Sequence, residues 1–211
     1  KDVSFTIPQG GRVGLVGDSG CGKSTLTRAI LGLEQVQHGT IEIDGEPVFS
    51  GHAPNLTVRR KVQVVFQDPY GSFNPRHKVA RSVTEPFHLL ETPPTGAARD
   101  TAIAEALSAV GLTPDDADKY IHEFSGGQRQ RIAIARALII KPKLIVFDEA
   151  VSALDVSIRA QILDLLAELS EEYALSYLFI SHDLSVVRTI TDHVMVMQAG
   201  QIVEEGETAT V

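Results

Sequence analysis

The run GDSGCGKST, Gly17 to Thr25, has the spacing G-x-x-x-x-G-K-S. Gly17, Gly20 and Gly22 let the backbone curl so that successive N–H groups point inward at anionic oxygens. Asp18, Ser19 and Cys21 complete that loop. Lys23 adds a mobile charge for terminal phosphates, and Ser24 offers a hydroxyl to Mg2+. Ser24 and Thr25 open a helix whose dipole favours an anion at its start. Strand-like GRVGLV lies before the loop and a helical pattern after it, which is the context a phosphate loop requires.

Other strand ends carry matching chemistry. LIVFDE, Leu144 to Glu149, is four apolar residues ending in two acids. A run of that kind fits a strand buried on both faces, with the acids at its C-terminal edge beside the phosphate loop. Asp148 is then placed to orient Mg2+ through a water, and Glu149 to polarise an attacking water. YLFISHD repeats the pattern and puts His182 at a strand end, where it reaches a terminal phosphate. Gln67 follows VQVVF and opens the loop QDPYGSFNPR, punctuated by Pro69, Gly71 and Asn74-Pro75. At a strand end Gln67 reaches both Mg2+ and the attacking water, whereas alone it reads as a turn residue.

HEFSGGQRQR, His122 to Arg131, is harder to place. Ser125 and Gln128 form a capping box ahead of an apolar helix. Capping does not need Gly126 and Gly127, each of which costs about 1 kcal/mol inside a helix. Bare glycine N–H groups at a helix N-terminus make a second anion site.

Positioning these groups takes strands alternating with helices. VSFTI, RVGLVG, VQVVF (62–66), 144–147, 176–180, VMVM and QIVEE read as strands, and TIEIDGEPVF reads as a hairpin turning at Asp-Gly. Helices are expected over 24–33, 97–110, 126–140, 157–173 and 184–190. The expected class is α/β, a P-loop NTPase (RecA-like) core with a mainly parallel sheet. It carries an N-terminal antiparallel β part and an inserted helical subdomain. Residues 1–74 and 123–211 are assigned to the core and 75–122 to the helical subdomain. Ligands of such sheets bind beyond the C-terminal strand ends.

The chain has 211 residues, 43% hydrophobic and 22% charged, with net charge -8. An acidic balance opposes non-specific nucleic-acid binding and a polybasic membrane anchor. The lone Cys21 allows no internal disulfide and fits a reducing compartment. The longest apolar region, 132–151, is interrupted by Arg136, Lys141, Pro142, Lys143, Asp148 and Glu149, so the chain is expected to be soluble. It starts at Lys1 on VSFTI and reads as a piece of something longer, truncated at both ends.

Taken in order, the phosphate loop, SGGQ before a helix, DE at a strand end, SALD (Ser152 to Asp155) and His182 resemble the ATP-binding cassette (ABC) ATPases. GDSGCGKST, VVFQDPYGSFNPR, HEFSGGQRQRIAIARAL and DEAVSALDVSI are similar, more narrowly, to the ATPase subunits of bacterial dipeptide and oligopeptide importers, a subfamily that also serves nickel and glutathione.

The resemblance implies hydrolysis of ATP with Mg2+. Gly17 to Thr25 resembles Walker A, Gln67 the Q-loop glutamine, and Ser125 to Gln128 the element that meets the ATP of a partner domain. Asp148 resembles the Walker B acid, Glu149 the catalytic glutamate, Asp155 the D-loop aspartate and His182 the switch histidine. The implied partners are a second ABC domain bound head to tail, transmembrane permease subunits and, indirectly, a substrate-binding protein. The implied place is the cytoplasmic face of the membrane.

Two departures are evident. The family's adenine-stacking aromatic lies upstream of where this chain starts, and Ala150 stands where many members have proline. Alternatives remain among non-transport cassettes of repair or translation and non-hydrolysing regulatory modules. Intact Glu149 and His182 oppose the last. The spacing of about 100 residues between the loop and SGGQ, without heptads, opposes the repair type.

Overall fold

The computed structural model describes residues 2–68 and 70–210; Lys1, Pro69 and Val211 lie outside the described residues. In chain order the elements are β1 (Arg12–Gly17), α1 (Lys23–Ile30), β2 (Glu42–Ile43), β3 (Glu46–Pro47), β4 (Phe49–Ser50), β5 (Ala53–Pro54), α2 (Leu56–Arg59) and β6 (Val62–Phe66). A helical stretch follows, with α3 (Val79–Val83), a 3-10 turn at Glu85–Leu89, α4 (Gly96–Ala109) and further 3-10 turns at Pro114–Asp118 and Ile121–Glu123. The chain continues through α5 (Gly126–Leu138), β7 (Leu144–Asp148), α6 (Val156–Tyr173), β8 (Tyr177–Ser181), α7 (Leu184–Ile190), β9 (His193–Gln198) and β10 (Gln201–Glu207).

Six strands form one sheet in the order β10-β9-β1-β8-β7-β6. Every pairing is parallel except β9 with β10, a hairpin at the edge. Central strands read as unbroken apolar runs because helices cover both faces. One core contains Phe147, Tyr177 and Phe179 with the inner faces of α4, α5, α6 and α7. The other contains Leu15, Val146, Leu178 and Ile180 and is covered by α1 and the β2–β5 ribbons. Tyr177 spans β8 to the end of α7 through a hydroxyl that donates to the Ile190 carbonyl, and burial pushes its pKa up to about 12.

The expected hairpin is the β2–β3 ribbon, and both Asp44 (φ 54) and Gly45 (φ 75) take the left-handed conformation its turn demands. The neighbouring β4–β5 ribbon was not expected. VSFTI is not a strand: Val3, Phe5 and Ile7 alternate inward against the second core, but the segment joins no ladder. Its period-2 pattern reflects half-burial, and half-burial does not require a hydrogen-bonded neighbour. The first helix ends at Ile30, three residues short of the expected end, where Gly32 turns to φ 69. The ends of the helical stretch meet where Lys78 bridges Tyr120 and the Val79 N–H donates to the Lys119 carbonyl at 2.9 Å. Among the described residues no helix is long and apolar enough to cross a membrane.

Candidate functional site

Parallel register brings the strand ends together. Val16 pairs with Ser181, Ile180 with Asp148, and Asp148 with Phe66. The next residues along each strand are therefore Gly17, His182, Glu149 and Gln67, in a row along one sheet edge. Adjacent strands lie about 4.8 Å apart, so the row spans roughly 14 Å. The expectation that the two acids sit beside the phosphate loop needs one refinement, because β8 lies between β1 and β7.

The loop after β1 forms a cradle for an anion. A Cβ on Gly17 would collide with the Met197 carbonyl oxygen and lie 2.7 Å from Cys21 Sγ, so no other residue fits there. Gly22 (φ 116) is the N-cap of α1, with no side-chain cap and no acid in the first turn. The helix start is left with unused N–H groups and an uncompensated dipole. Lys23 is buried, and its Nζ donates to the carbonyls of Gly17 (2.6 Å) and Asp18 (2.9 Å), which hold the ammonium over the loop. Asp18, Ser19, Gly20, Ser24 and Thr25 are exposed, while Cys21 is packed beneath the loop.

Across the cleft, burial raises the Asp148 pKa. Thr27 Oγ1, which makes no hydrogen bond of normal geometry, lies near enough to pull it the other way, as does the Lys23 charge. A half-buried carboxylate facing an ammonium and the Ser24 end of α1 is a donor set suited to Mg2+. Glu149 adopts φ 55, a left-handed conformation uncommon for a side chain of its kind, and its Oε2 lies 2.9 Å from Nδ1 of exposed His182. Gln67 is exposed at the end of β6.

The SGGQ segment is built as its capping box predicts. The Ser125 N–H donates to Gln128 Oε1 at 3.0 Å, and the Gln128 N–H donates to Ser125 Oγ at 3.3 Å. The two glycines have different reasons. A Cβ on Gly127 would sit 2.6 Å from Ile158 Cγ2 of α6, whereas one on Gly126 would meet nothing within 4 Å. Packing therefore accounts for Gly127, and Gly126 presents bare backbone to the outside. Ser125 and Gln128 are exposed, as is Asp155, the N-cap residue of α6, whose side chain makes no cap hydrogen bond.

Two residues of α5 escaped sequence reasoning. Gln130 is fully buried and donates to the carbonyls of Phe66 and Ala150. Arg129 is buried too, with its Nε donating to the Ile121 carbonyl at 2.9 Å and its guanidinium 3.7 Å above the Tyr70 ring. The available signal was spacing. Gln130 stands three and four residues before Ala133 and Ile134, on the buried face.

The sheet order, phosphate cradle and row of strand-end residues define a P-loop ATPase domain of the cassette type. The chain belongs to the ABC transporter family, whose sequence pattern matches residues 1–152. It is 50% identical over 204 residues to the oligopeptide transport ATP-binding protein AppF of Bacillus subtilis, covering 96% of this chain and 62% of that protein. The dipeptide transport ATP-binding protein DppF of Escherichia coli is 48% identical over 206 residues, covering 97% of this chain and 61% of its own length. The chain thus spans about three-fifths of these relatives.

Among solved structures, cbiO1 from Clostridium perfringens, part of the ABC transporter complex cbiONQ, matches with TM-score 0.86 and 27% identity, over 98% of this chain and 80% of that one. A dimeric post-hydrolysis state of the cassette MJ0796 bound to ADP and Pi matches with TM-score 0.82 and 28% identity, over 99% and 90% respectively.

Proposed function

We propose that this chain is the ATP-hydrolysing part of a subunit that powers a peptide importer. The observation that carries the reading is the row of Gly17, His182, Glu149 and Gln67 at one sheet edge, next to an uncapped helix start. Backbone N–H groups of residues 17–25 and the Lys23 ammonium hold the phosphates. Ser24 and Asp148, with Gln67, hold Mg2+, which when bound neutralises charge building on the β- and γ-phosphates. Glu149 orients the attacking water by accepting its proton, and His182, held at Nδ1 against the Glu149 carboxylate, faces the terminal phosphate. Phosphoryl transfer asks for positioning and charge stabilisation rather than covalent chemistry, and these residues supply both.

In the same reading, exposed Ser125, the backbone N–H groups of Gly126 and Gly127, Gln128 and Asp155 belong to a composite site. They face the ATP held by a second cassette bound head to tail. Residues 75–122 form the helical subdomain, and residues 1–74 and 123–211 form the nucleotide-binding core, which carries this face. The loop after Gln67 receives a transmembrane permease subunit, and the assembly sits on the cytoplasmic face of the membrane, served indirectly by a substrate-binding protein.

Peptide cargo follows the names of the oligopeptide and dipeptide transport proteins AppF and DppF above. A second cargo, glutathione, is favoured by the glutathione import ATP-binding protein GsiA of Pectobacterium atrosepticum, 50% identical over 207 residues, 98% of this chain but 33% of that protein. Uptake of labelled dipeptide, oligopeptide and glutathione by the full transporter separates these cargoes. Glu149→Gln in the full-length protein tests the chemistry. Turnover is expected to fall at least about 100-fold with ATP still bound. Hydrolysis at the parental rate would sink the assignment.

A further inference from the structure

The Gln130 amide reaches both sides of the proposed cleft from inside the fold. Its Nε2 donates to the Ala150 carbonyl at 2.6 Å and to the Phe66 carbonyl at 3.3 Å, and its side chain is fully buried. Two carbonyl acceptors require both N–H donors of one amide nitrogen, so the orientation of the amide follows from its partners. Oε1 has no hydrogen-bond partner among the described residues. A buried amide left half satisfied is costly, and its two donated bonds make up the rest of its polar complement.

The acceptors are telling. Ala150 directly follows Glu149, and Phe66 directly precedes Gln67. Glu149 sits at φ 55, a conformation that persists only where its surroundings impose it. Three constraints surround it. The Glu149 N–H donates to the Ile180 carbonyl at 3.0 Å, the Ser152 N–H and Oγ donate to the Glu149 carbonyl at 3.1 and 2.8 Å, and Gln130 holds the next carbonyl. The first two tie Glu149 to its neighbouring strand and its own turn. Gln130 adds α5, the helix that begins with the SGGQ segment, and ties the same amide to the end of β6.

The geometry points to Gln130 as a positioning residue that sets the Glu149 backbone and the start of the Gln67 loop against each other, from the helix that opens at Ser125. This rests on the hydrolytic roles proposed above for Glu149 and Gln67. Without the two donated bonds, the strained backbone at Glu149 relaxes and its carboxylate leaves its place beside His182, while the phosphate cradle at Gly17 to Thr25 is untouched.

The test compares Gln130→Met with the parent in the full-length protein. Methionine keeps the volume and loses both donors; Gln130→Asn, with a stem one carbon shorter, is the second variant should methionine prevent folding. For the folded variant kcat is expected to fall about tenfold with KM for ATP within about twofold. Backbone hydrogen exchange across residues 148–152 should quicken, without nucleotide. In a Glu149→Gln background Gln130→Met should reduce residual turnover no further. Parental kcat, a loss confined to KM, unchanged exchange at 148–152 or an additive double variant would each overturn the inference. Glu149→Gln run alongside keeps the two ideas apart. If it hydrolyses at the parental rate, the hydrolytic reading fails. If it is inactive while Gln130→Met is fully active, only the role of Gln130 fails.

Discussion

Lys23 shows how one side chain depends on its surroundings. A buried ammonium is costly unless its protons are matched, and here the carbonyls of Gly17 and Asp18 take two of them. Those carbonyls fix the charge at the loop. Lys23→Ala is expected to weaken ATP binding by tenfold or more, on the order of 1.4 kcal/mol. Titration with a fluorescent nucleotide measures this, and unchanged affinity would remove Lys23 from the phosphate site. The residue types proposed for phosphate, metal and proton chemistry stand in short local runs, GKST, DE and SHD. The Glu149–His182 pair was not legible, because only the order of β7 and β8 places the two side chains 2.9 Å apart.

Among the elements, α5 is held at its start by a capping box and at its flank by α6. Gly127→Ala introduces a Cβ 2.6 Å from Ile158 Cγ2, and a β-branched neighbour cannot swing aside. The expected loss is about 1–3 kcal/mol, read by chemical denaturation, and a smaller partner, Ile158→Ala, should relieve part of it. Additive losses in the double variant would mean that Gly127 serves something other than helix packing.

A second element-scale prediction concerns the turn at 114–118. Lys119 donates to Asp116 at 2.6 Å and holds the Asp116 carboxyl below its usual pKa, with help from the Thr113 N–H at 2.9 Å. A depressed carboxylate pKa stabilises the fold above the unfolded value near 3.9, and that contribution fades as pH falls through the folded value. Asp116→Asn should cost about 1 kcal/mol at pH 7, a fall of about 2–4 °C in the thermal midpoint. The deficit should shrink steadily below about pH 4. A deficit independent of pH would show that the charge plays no part.

At the scale of the whole molecule, the two proposed half-sites lie on one chain with different outlooks. Gly17 to Lys23 faces the row of strand ends, whereas Ser125, Gln128 and Asp155 are exposed. Val156 beside Asp155 is 81% exposed, an apolar side chain with no partner within the chain's two cores. A full-length Glu149→Gln variant is therefore expected to pair when ATP and Mg2+ are added. Sedimentation should show a dimer with ATP and a monomer without it. Adding Ser125→Arg should prevent pairing and leave ATP binding to each copy intact. A Glu149→Gln protein that stays monomeric at saturating ATP would count against the composite site.

Local chemistry was written in the sequence. Strand-loop-helix order around GDSGCGKST, acids after an apolar run and a Ser-x-x-Gln box all act within a few residues, so spacing alone determines them. The Asp44-Gly45 turn belongs with these, because its left-handed geometry is a property of two adjacent residues. Long-range placement was decided only in three dimensions. VSFTI alternates as a strand does and joins no ladder among the described residues, since a ladder needs a neighbour that no local pattern supplies. The paired glycines read locally as anion-facing, and the crowding that a Cβ on Gly127 would meet at Ile158 arises from a helix about 30 residues further along the chain. Gln130 joins carbonyls at positions 66 and 150, and only the order of β6 and β7 brings those within reach of one amide. The same side-chain amide would be an ordinary polar residue on any helix that did not cross that edge of the sheet.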